Sequence, residues 1–393
     1  MKELNERLNI LKKKVIEGDT VTIAIFGLGS VGCYLLDYLV SLSDPQLHIV
    51  VVGRNEEKMT KDVNIIRTAA TIRKQLRSKI TIIGDCDFED VGSISKVLLN
   101  VKPDFIVNSS RLYAGLKYGS ISWSNLRAYG IWAPLALQLG KNIMEAYEEA
   151  GCEAITINTS YSDAVIPWLK SAGKAYFDFG SGNLNHLIPR MKFYVADKFG
   201  IENLNEIDIT LVASHFHDVV ISKEGHTEGM DLLLSVKYNG EELPINKEEL
   251  FRSCAIPMPT DQKRNMMNAS SNFDIIVSVL KAIRKRQIIK VHSPGVAGYI
   301  GGYPFIIDGS GDIVQSYFAP DFSLEEMIEA NMRSIYHDGI EDIYNGQLIY
   351  TDKLIYDVKN KFKVDLPKNV SLEDSQKVAS LLIDRIIIPN ANR

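Results

Sequence analysis

The sequence predicts an α/β chain, an N-terminal doubly wound parallel sheet followed by a C-terminal α+β domain. Two observations predict it. Through residue 160, short apolar runs rich in β-branched residues alternate with longer amphipathic stretches, the pattern of a parallel sheet covered by helices on both faces. After Tyr161, polar-alternating strands, a long helix and a glycine-rich span take over. At 393 residues, 46% hydrophobic and 24% charged, the chain has room for two domains and a sizeable core.

The first element expected is a helix over 1–19, "MKELNERLNILKKKVIEGD", with Leu4, Leu8, Leu11 and Val15 on one face to dock on the body or on a second subunit. Its charges leave no apolar stretch of the signal-peptide kind, and no run is long enough to span a bilayer. The first domain, 20–160, carries strands "VTIAIFG", "HIVVVG", "ITIIGD", "DFIVNS" and "AITINT". In the second, 161–393, "EIDITLVASHF" (206–216) and "LLLSVKYNG" (232–240) read as strands, with a helix near 272–286. The glycines of "HSPGVAGYIGGYPFIIDGSGD" (292–312) suit a tight turn and close strand approach. No low-complexity linker separates the parts, so a fixed interface with a cleft is expected.

A net charge of −5 argues against a nucleic-acid partner, since phosphate binding needs a concentrated basic surface. The basic span 67–79 reads as a solvated helix face. Cys33, Cys86, Cys152 and Cys254 lie far apart without CxxC spacing, which fits a reducing cytoplasm and no cysteine metal site. Cys33 suits a small buried apolar position.

Gly27, Gly29 and Gly32 form G-x-G-x-x-G directly after a strand and at the start of a helix, with a second strand about 20 residues on. The first glycine permits the turn, the second lets backbone approach a pyrophosphate, and the third lets helix pack on strand. The run Gly27, Leu28, Gly29, Ser30, Val31, Gly32 is therefore the expected dinucleotide cradle of a Rossmann domain. The second strand ends in "VVGRNEEK", without the acidic residue that meets an unphosphorylated ribose. Arg54, with Asn55 beside it, favours a 2′-phosphate, hence NADP ahead of NAD. Asp85, or Asp87, stands where an adenine amino group is met.

A nicotinamide enzyme needs a proton carrier, a polarising cation and a substrate anchor. Histidine is the natural carrier near neutral pH, and "LVASHFHDVVISKEGHTEG" holds His215, His217 and His226. On a strand, His215 and His217 would face one side, either as an acid/base oriented by Asp218 or as metal ligands with His226 or His186. Arg111, Tyr113 and Tyr118, after the fourth strand, lie where a substrate would enter.

These segments, in order, resemble the lactate/malate dehydrogenase superfamily. "GLGSVG" matches its opening turn, and "SNLRAYGIWAPLALQLGKNIMEAYEEAGCEAITINTS" its mobile catalytic loop and following helix. The resemblance implies that Arg127 polarises the substrate carbonyl, that Asn158 in "INTSYSD" lies beside the nicotinamide, and that His215 in "LVASHFHD" is the catalytic histidine, with His217 near it. "GSGNLNHLIPR" (180–190) is similar to the family's "GSGT.LDS.R", and "NASSNFDIIVSVLKAI" and "GGYPFIIDGSGDI" to its C-terminal helix and last hairpin. The family's substrate-carboxylate arginine falls one residue away, on Arg190, and its histidine-orienting aspartate is replaced by Asn185 or His186. The span "GDCDFEDVGSISKVLLNVKPDFIVNSS" is similar to saccharopine-dehydrogenase-type and extended short-chain reductases.

The resulting expectation is an NAD(P)-dependent oxidoreductase, NADP preferred, acting on a small hydroxy or oxo substrate such as a 2-hydroxy or 2-oxo acid. A homodimer is expected, as in the superfamily, with no membrane and no resident metal. Two alternatives stay open, a metal-dependent glycosidase of family 4 type and a nucleotide sensor without turnover.

Overall fold

In the computed structural model, which describes residues 2–113, 115–230 and 232–390, strand and helix alternate up to residue 180. The order is α1 (Leu4–Glu17), β1 (Val21–Phe26), α2 (Ser30–Ser41), β2 (Leu47–Val52), α3 (Glu56–Ile72), β3 (Lys79–Ile83), α4 (Val91–Val101) and β4 (Phe105–Asn108). Then come α5 (Leu116–Asn125), α6 (Ala133–Glu149), β5 (Ile155–Asn158), α7 (Ser162–Ser171) and β6 (Phe179–Gly180). All five strand pairs are parallel, and the sheet runs β3-β2-β1-β4-β5-β6. This is the doubly wound order, whose direction reverses between β1 and β4 and opens a crevice at their carboxyl ends.

The sheet is buried on both faces because successive β1 residues serve different cores. Ala24 and Phe26 pack toward α4, α6 and α7, whereas Val21, Ile23 and Ile25 pack toward α1, α2 and α3. The sixth strand lies at Phe179–Gly180, so the sheet continues past residue 160, where the sequence reading ended the first domain.

The second part comprises α8 (Leu184–Phe199), β7 (Ile207–Val212), α9 (His215–Glu224), β8 (Leu233–Tyr238), β9 (Glu241–Glu242), α10 (Lys247–Cys254) and α11 (Asn265–Lys285). It continues with β10 (Ile288–Pro294), β11 (Gly302–Asp308), β12 (Gln315–Phe318) and α12 (Leu324–His337). A last module holds β13 (Ile340–Tyr344), β14 (Gln347–Tyr350), α13 (Asp352–Phe362), β15 (Asn369–Ser371) and α14 (Ser375–Leu382). From β7 onward the strands form three small antiparallel sheets, β7-β8-β9, β10-β11-β12 and β13-β14-β15. Among the described residues no helix is long and apolar enough to cross a membrane.

One expectation is corrected here. The strand read over 206–216 ends at Val212, and a helix begins at His215. Ser214 takes the extended backbone of an N-cap, Asp218 supplies the acidic first turn, and the buried Asp163 carboxylate accepts the His215 N–H at 3.0 Å. These helix-starting interactions override a short alternation that reads equally well as strand.

Helix α1 docks as its leucine stripe predicts, with Leu8, Leu11 and Val15 buried, but its anchor is polar. The Arg7 guanidinium lies under the sheet, donating to the Ala154 carbonyl at 2.8 Å and pairing through both nitrogens with Asp178. Asp178 also accepts from the Thr156 N–H at 2.8 Å and the Thr156 hydroxyl at 3.0 Å. Arg7→Ala strands that carboxylate in the core and is expected to cost about 3–5 kcal/mol. Urea unfolding checks it, and a loss under about 1 kcal/mol, the range of an exposed pair, would contradict a structural role for the anchor.

Candidate active site

The glycine turn has the geometry that the motif's chemistry requires. Gly27 sits at φ +96°, with its N–H on the Val52 carbonyl at 2.9 Å and Ser110 against the place a Cβ would take. A Cβ on Gly32 would lie 2.2 Å from the Gly27 carbonyl oxygen, so α2 meets β1 at a distance only glycine allows. Gly29 differs, since a Cβ there meets nothing within 4 Å. The absence of packing around Gly29 and of acidic residues in the first turn of α2 leaves an open, partly positive helix end, which fits a dinucleotide pyrophosphate. Leu28 and Val31 are buried beneath this turn, while Ser30 faces α11, its hydroxyl oxygen accepting from the Asn265 amide at 2.6 Å.

Beside the turn lies a cavity of about 450 Å³, walled by Tyr129, Trp132, Tyr161 and His215 on one side and by Arg111, Asn183, His186, Asp218 and Arg264 elsewhere. Asn265 also lines it, so cavity and glycine turn abut.

The chemistry centres on His215. Its Nδ1 lies 2.9 Å from Oδ2 of Asp338, a fully buried carboxylate at the end of α12. That same oxygen accepts from the Tyr161 hydroxyl at 2.6 Å, and Oδ1 accepts from the Tyr129 N–H at 2.8 Å. A carboxylate surrounded by donors is an acceptor, so Nδ1 of His215 carries the proton and Nε2 remains for the cavity. Burial opposes protonation of the imidazole, but the charge and hydrogen bond of Asp338, with Asp163 and Asp218 behind it, outweigh burial and raise the pKa above the usual 6.5. Tyr129 and Tyr161 press their ring edges on the imidazole, with centroids 4.7 and 5.1 Å away, fixing its plane. Asp163 also accepts from the Asn183 amide at 2.8 Å, and burial raises its own pKa.

The other expected residues scatter. His217, two positions along the α9 helix instead of along a strand, turns away from His215 toward Ser334, 2.9 Å from Nδ1. Burial lowers its pKa to about 3 and holds it neutral. Arg127, at φ +52°, pairs with Glu224 at 2.8 Å and with Glu228, and stacks over Trp123. Glu224 ends the helix that His215 begins, about 13 Å along its axis, and Arg127 is not part of the cavity wall. Asn158 ends β5 with its amide fully engaged by Asn108, Ser160 and Ser162. Arg190 is buried and donates to the Cys254 carbonyl at 2.8 Å, outside the cavity wall. Arg111 does line the cavity, as does Tyr118.

At the cofactor end, Arg54 is exposed beyond β2, 4.0 Å from Glu89. The Asn55 side chain caps α3 by accepting the Lys58 N–H at 2.8 Å, and Asp85 is exposed at φ +55°. Cys33 is half-buried where a buried position was expected, and desolvation pushes its thiol up to about 11. The histidines of the metal alternative are not gathered. His226 is exposed beside Glu224, His186 sits 3.6 Å from Asp218, and no group of three His, Cys, Asp or Glu suited to a metal occurs among the described residues.

Sequence reasoning missed Asp338, which lies 123 residues from its partner, as well as Tyr161, Asp163 and Arg264. The only local signal was the loss of an aspartate in "GSGNLNHLIPR", which indicates that an orienting group must come from elsewhere without saying from where.

No family model matches this chain, and no curated protein matches it. Solved structures do. A lactate dehydrogenase from Cryptosporidium parvum, complexed with lactic acid and nicotinamide adenine dinucleotide, aligns over 81% of this chain and 96% of its own at 14% identity, with a TM-score of 0.52. A malate dehydrogenase from the same organism aligns over 80% and 96% at 13% identity, TM-score 0.52, and one from Picrophilus torridus over 81% and 96% at 12% identity, TM-score 0.50. About a fifth of this chain has no counterpart in them. At such identities the likeness is one of fold, and the fold is that of the lactate and malate dehydrogenases, a doubly wound Rossmann sheet carrying an α+β domain.

Proposed function

We propose that the protein is an NAD(P)-dependent oxidoreductase, with NADP preferred, that interconverts a small hydroxy compound and its oxo form, a 2-hydroxy and 2-oxo acid by class. The observation that carries this reading is the His215–Asp338 pair, facing a cavity that abuts the glycine turn. The bound nicotinamide supplies the hydride chemistry.

The chain's own residues handle the proton. In the oxidation direction Nε2 of His215 takes it from the substrate hydroxyl, and in reduction it returns it to the carbonyl oxygen. Asp338 fixes the tautomer and stabilises the imidazolium, while Tyr161 and Tyr129 hold Asp338. Arg127, committed to Glu224 and Glu228, is given no part in this scheme. The preference for NADP rests on Arg54, exposed at the end of β2 where no aspartate or glutamate stands.

Three outcomes follow. His215→Ala is expected to slow turnover by ~10²–10⁴-fold while leaving cofactor affinity unchanged, and near-normal turnover would remove His215 from the chemistry. Because His215 must be neutral to accept a proton and charged to give one, oxidation should rise with pH through a value above 6.5 and reduction should fall through it; pH profiles in both directions test this. At the turn, Gly29→Ala has open space around it and should keep the wild-type melting temperature while weakening nucleotide binding. Gly32→Ala should lower the melting temperature as well. Unchanged nucleotide affinity in Gly29→Ala would reduce the turn to a structural feature.

A further inference from the structure

The resemblance placed a substrate-carboxylate arginine at Arg190, yet that side chain lies under α9 and α10, bonded to backbone carbonyls. A different arginine is available. Arg264 stands at the N-terminal end of α11, half-buried in the cavity wall, and its guanidinium makes no hydrogen bond or ion pair with any described residue.

Its position is electrostatically unfavourable in isolation. The amino end of a 21-residue helix carries partial positive charge and attracts acidic residues, whereas α11 has none in its first turn and a cation at its N-cap; the Asp261 carboxylate just before it is taken up by the Lys263 N–H at 2.8 Å. Arg111 and Lys223 line the same cavity, against a single carboxylate, Asp218. Lys223 feels this charge: burial lowers its pKa and Arg264 lowers it further, ahead of the opposing effect of Glu224.

A second, independent observation comes from Trp132. It is 2% exposed, lines this cavity, and its indole Nε1 donates to nothing among the described residues. Buried donors are nearly always paired, so an unpaired donor on a residue of the wall that also carries Arg264, Arg111 and Lys223 marks a place for an acceptor. We propose that Arg264, with Arg111 and Lys223 around it and Trp132 donating from the wall, binds an oxyanion group of the substrate, a carboxylate or a phosphate. This rests on the cavity being the substrate site, as the proposed function has it, and moves the anchor from α8 to the start of α11. The planar fork of arginine suits either oxyanion, and the neighbouring Asn265, bonded to Ser30, sets the anchored group beside the glycine turn.

Calorimetric titration of the full chain at low salt with malonate and, separately, inorganic phosphate tests this, using wild type, Arg264→Gln and Arg264→Lys, with nucleotide affinity measured on each. Expected is binding of at least one anion by wild type, weakened about tenfold or more in Arg264→Gln, partly kept in Arg264→Lys, with nucleotide affinity unchanged. A preference for malonate assigns a carboxylate, and a preference for phosphate a phosphorylated substrate. The inference is overturned if neither anion binds wild type, if Arg264→Gln binds them equally well, or if it loses the nucleotide to the same extent, which would make Arg264 a cofactor residue. Anion binding without turnover on any oxo acid would uphold the anchor and sink the proposed activity.

Discussion

The site depends on one buried carboxylate. Asp338 has no solvent to stabilise its charge, and the chain supplies donors from three separate places: the His215 imidazole at the start of α9, the Tyr161 hydroxyl after β5, and the Tyr129 backbone between α5 and α6. Its own carbonyl accepts the Gly130 N–H at 2.7 Å, where a Cβ on Gly130 would clash with it. Removing a buried charge from water is costly unless its hydrogen bonds are fully replaced, so these segments are held in register by the demand of one group. Tyr161 accepts a left-handed backbone, φ +43°, to reach it.

This arrangement makes the C-terminal module part of the candidate site. Asp338 lies at the junction of α12 and β13, and the module packs through Ile340, Leu348 and Tyr350 into the core that also holds α6 and α7. The histidine–carboxylate pair is thus assembled across 123 residues of chain, a pairing that loop and helix variation can relocate while the sheet and its crevice stay in place.

Local features were legible in the sequence and long-range ones were not. The five strands, the helix stripe of α1 and the glycine turn each follow from spacing or steric demand within a few residues, and the structure has them all. The strand read through His215 failed because a short alternation cannot be distinguished from the first turn of a helix without its cap, and part of that cap, Asp163, lies 52 residues away. Arg7 hid inside an apolar stripe because its partner, Asp178, is 171 residues on. Arg127 and Arg190 matched by position, but Glu224, Glu228 and the Cys254 carbonyl, none of them adjacent, took up their guanidinium groups.

The central claim is that Asp338 holds His215 with its proton on Nδ1 and its basicity raised, ready for proton exchange at Nε2. Nitrogen-detected NMR titration of His215 in the resting protein tests this without a substrate. The account predicts an Nδ1–H tautomer and a pKa above 6.5, with both lost in Asp338→Asn. An Nε2–H tautomer, or a pKa at or below 6.5 unaffected by Asp338→Asn, would contradict it.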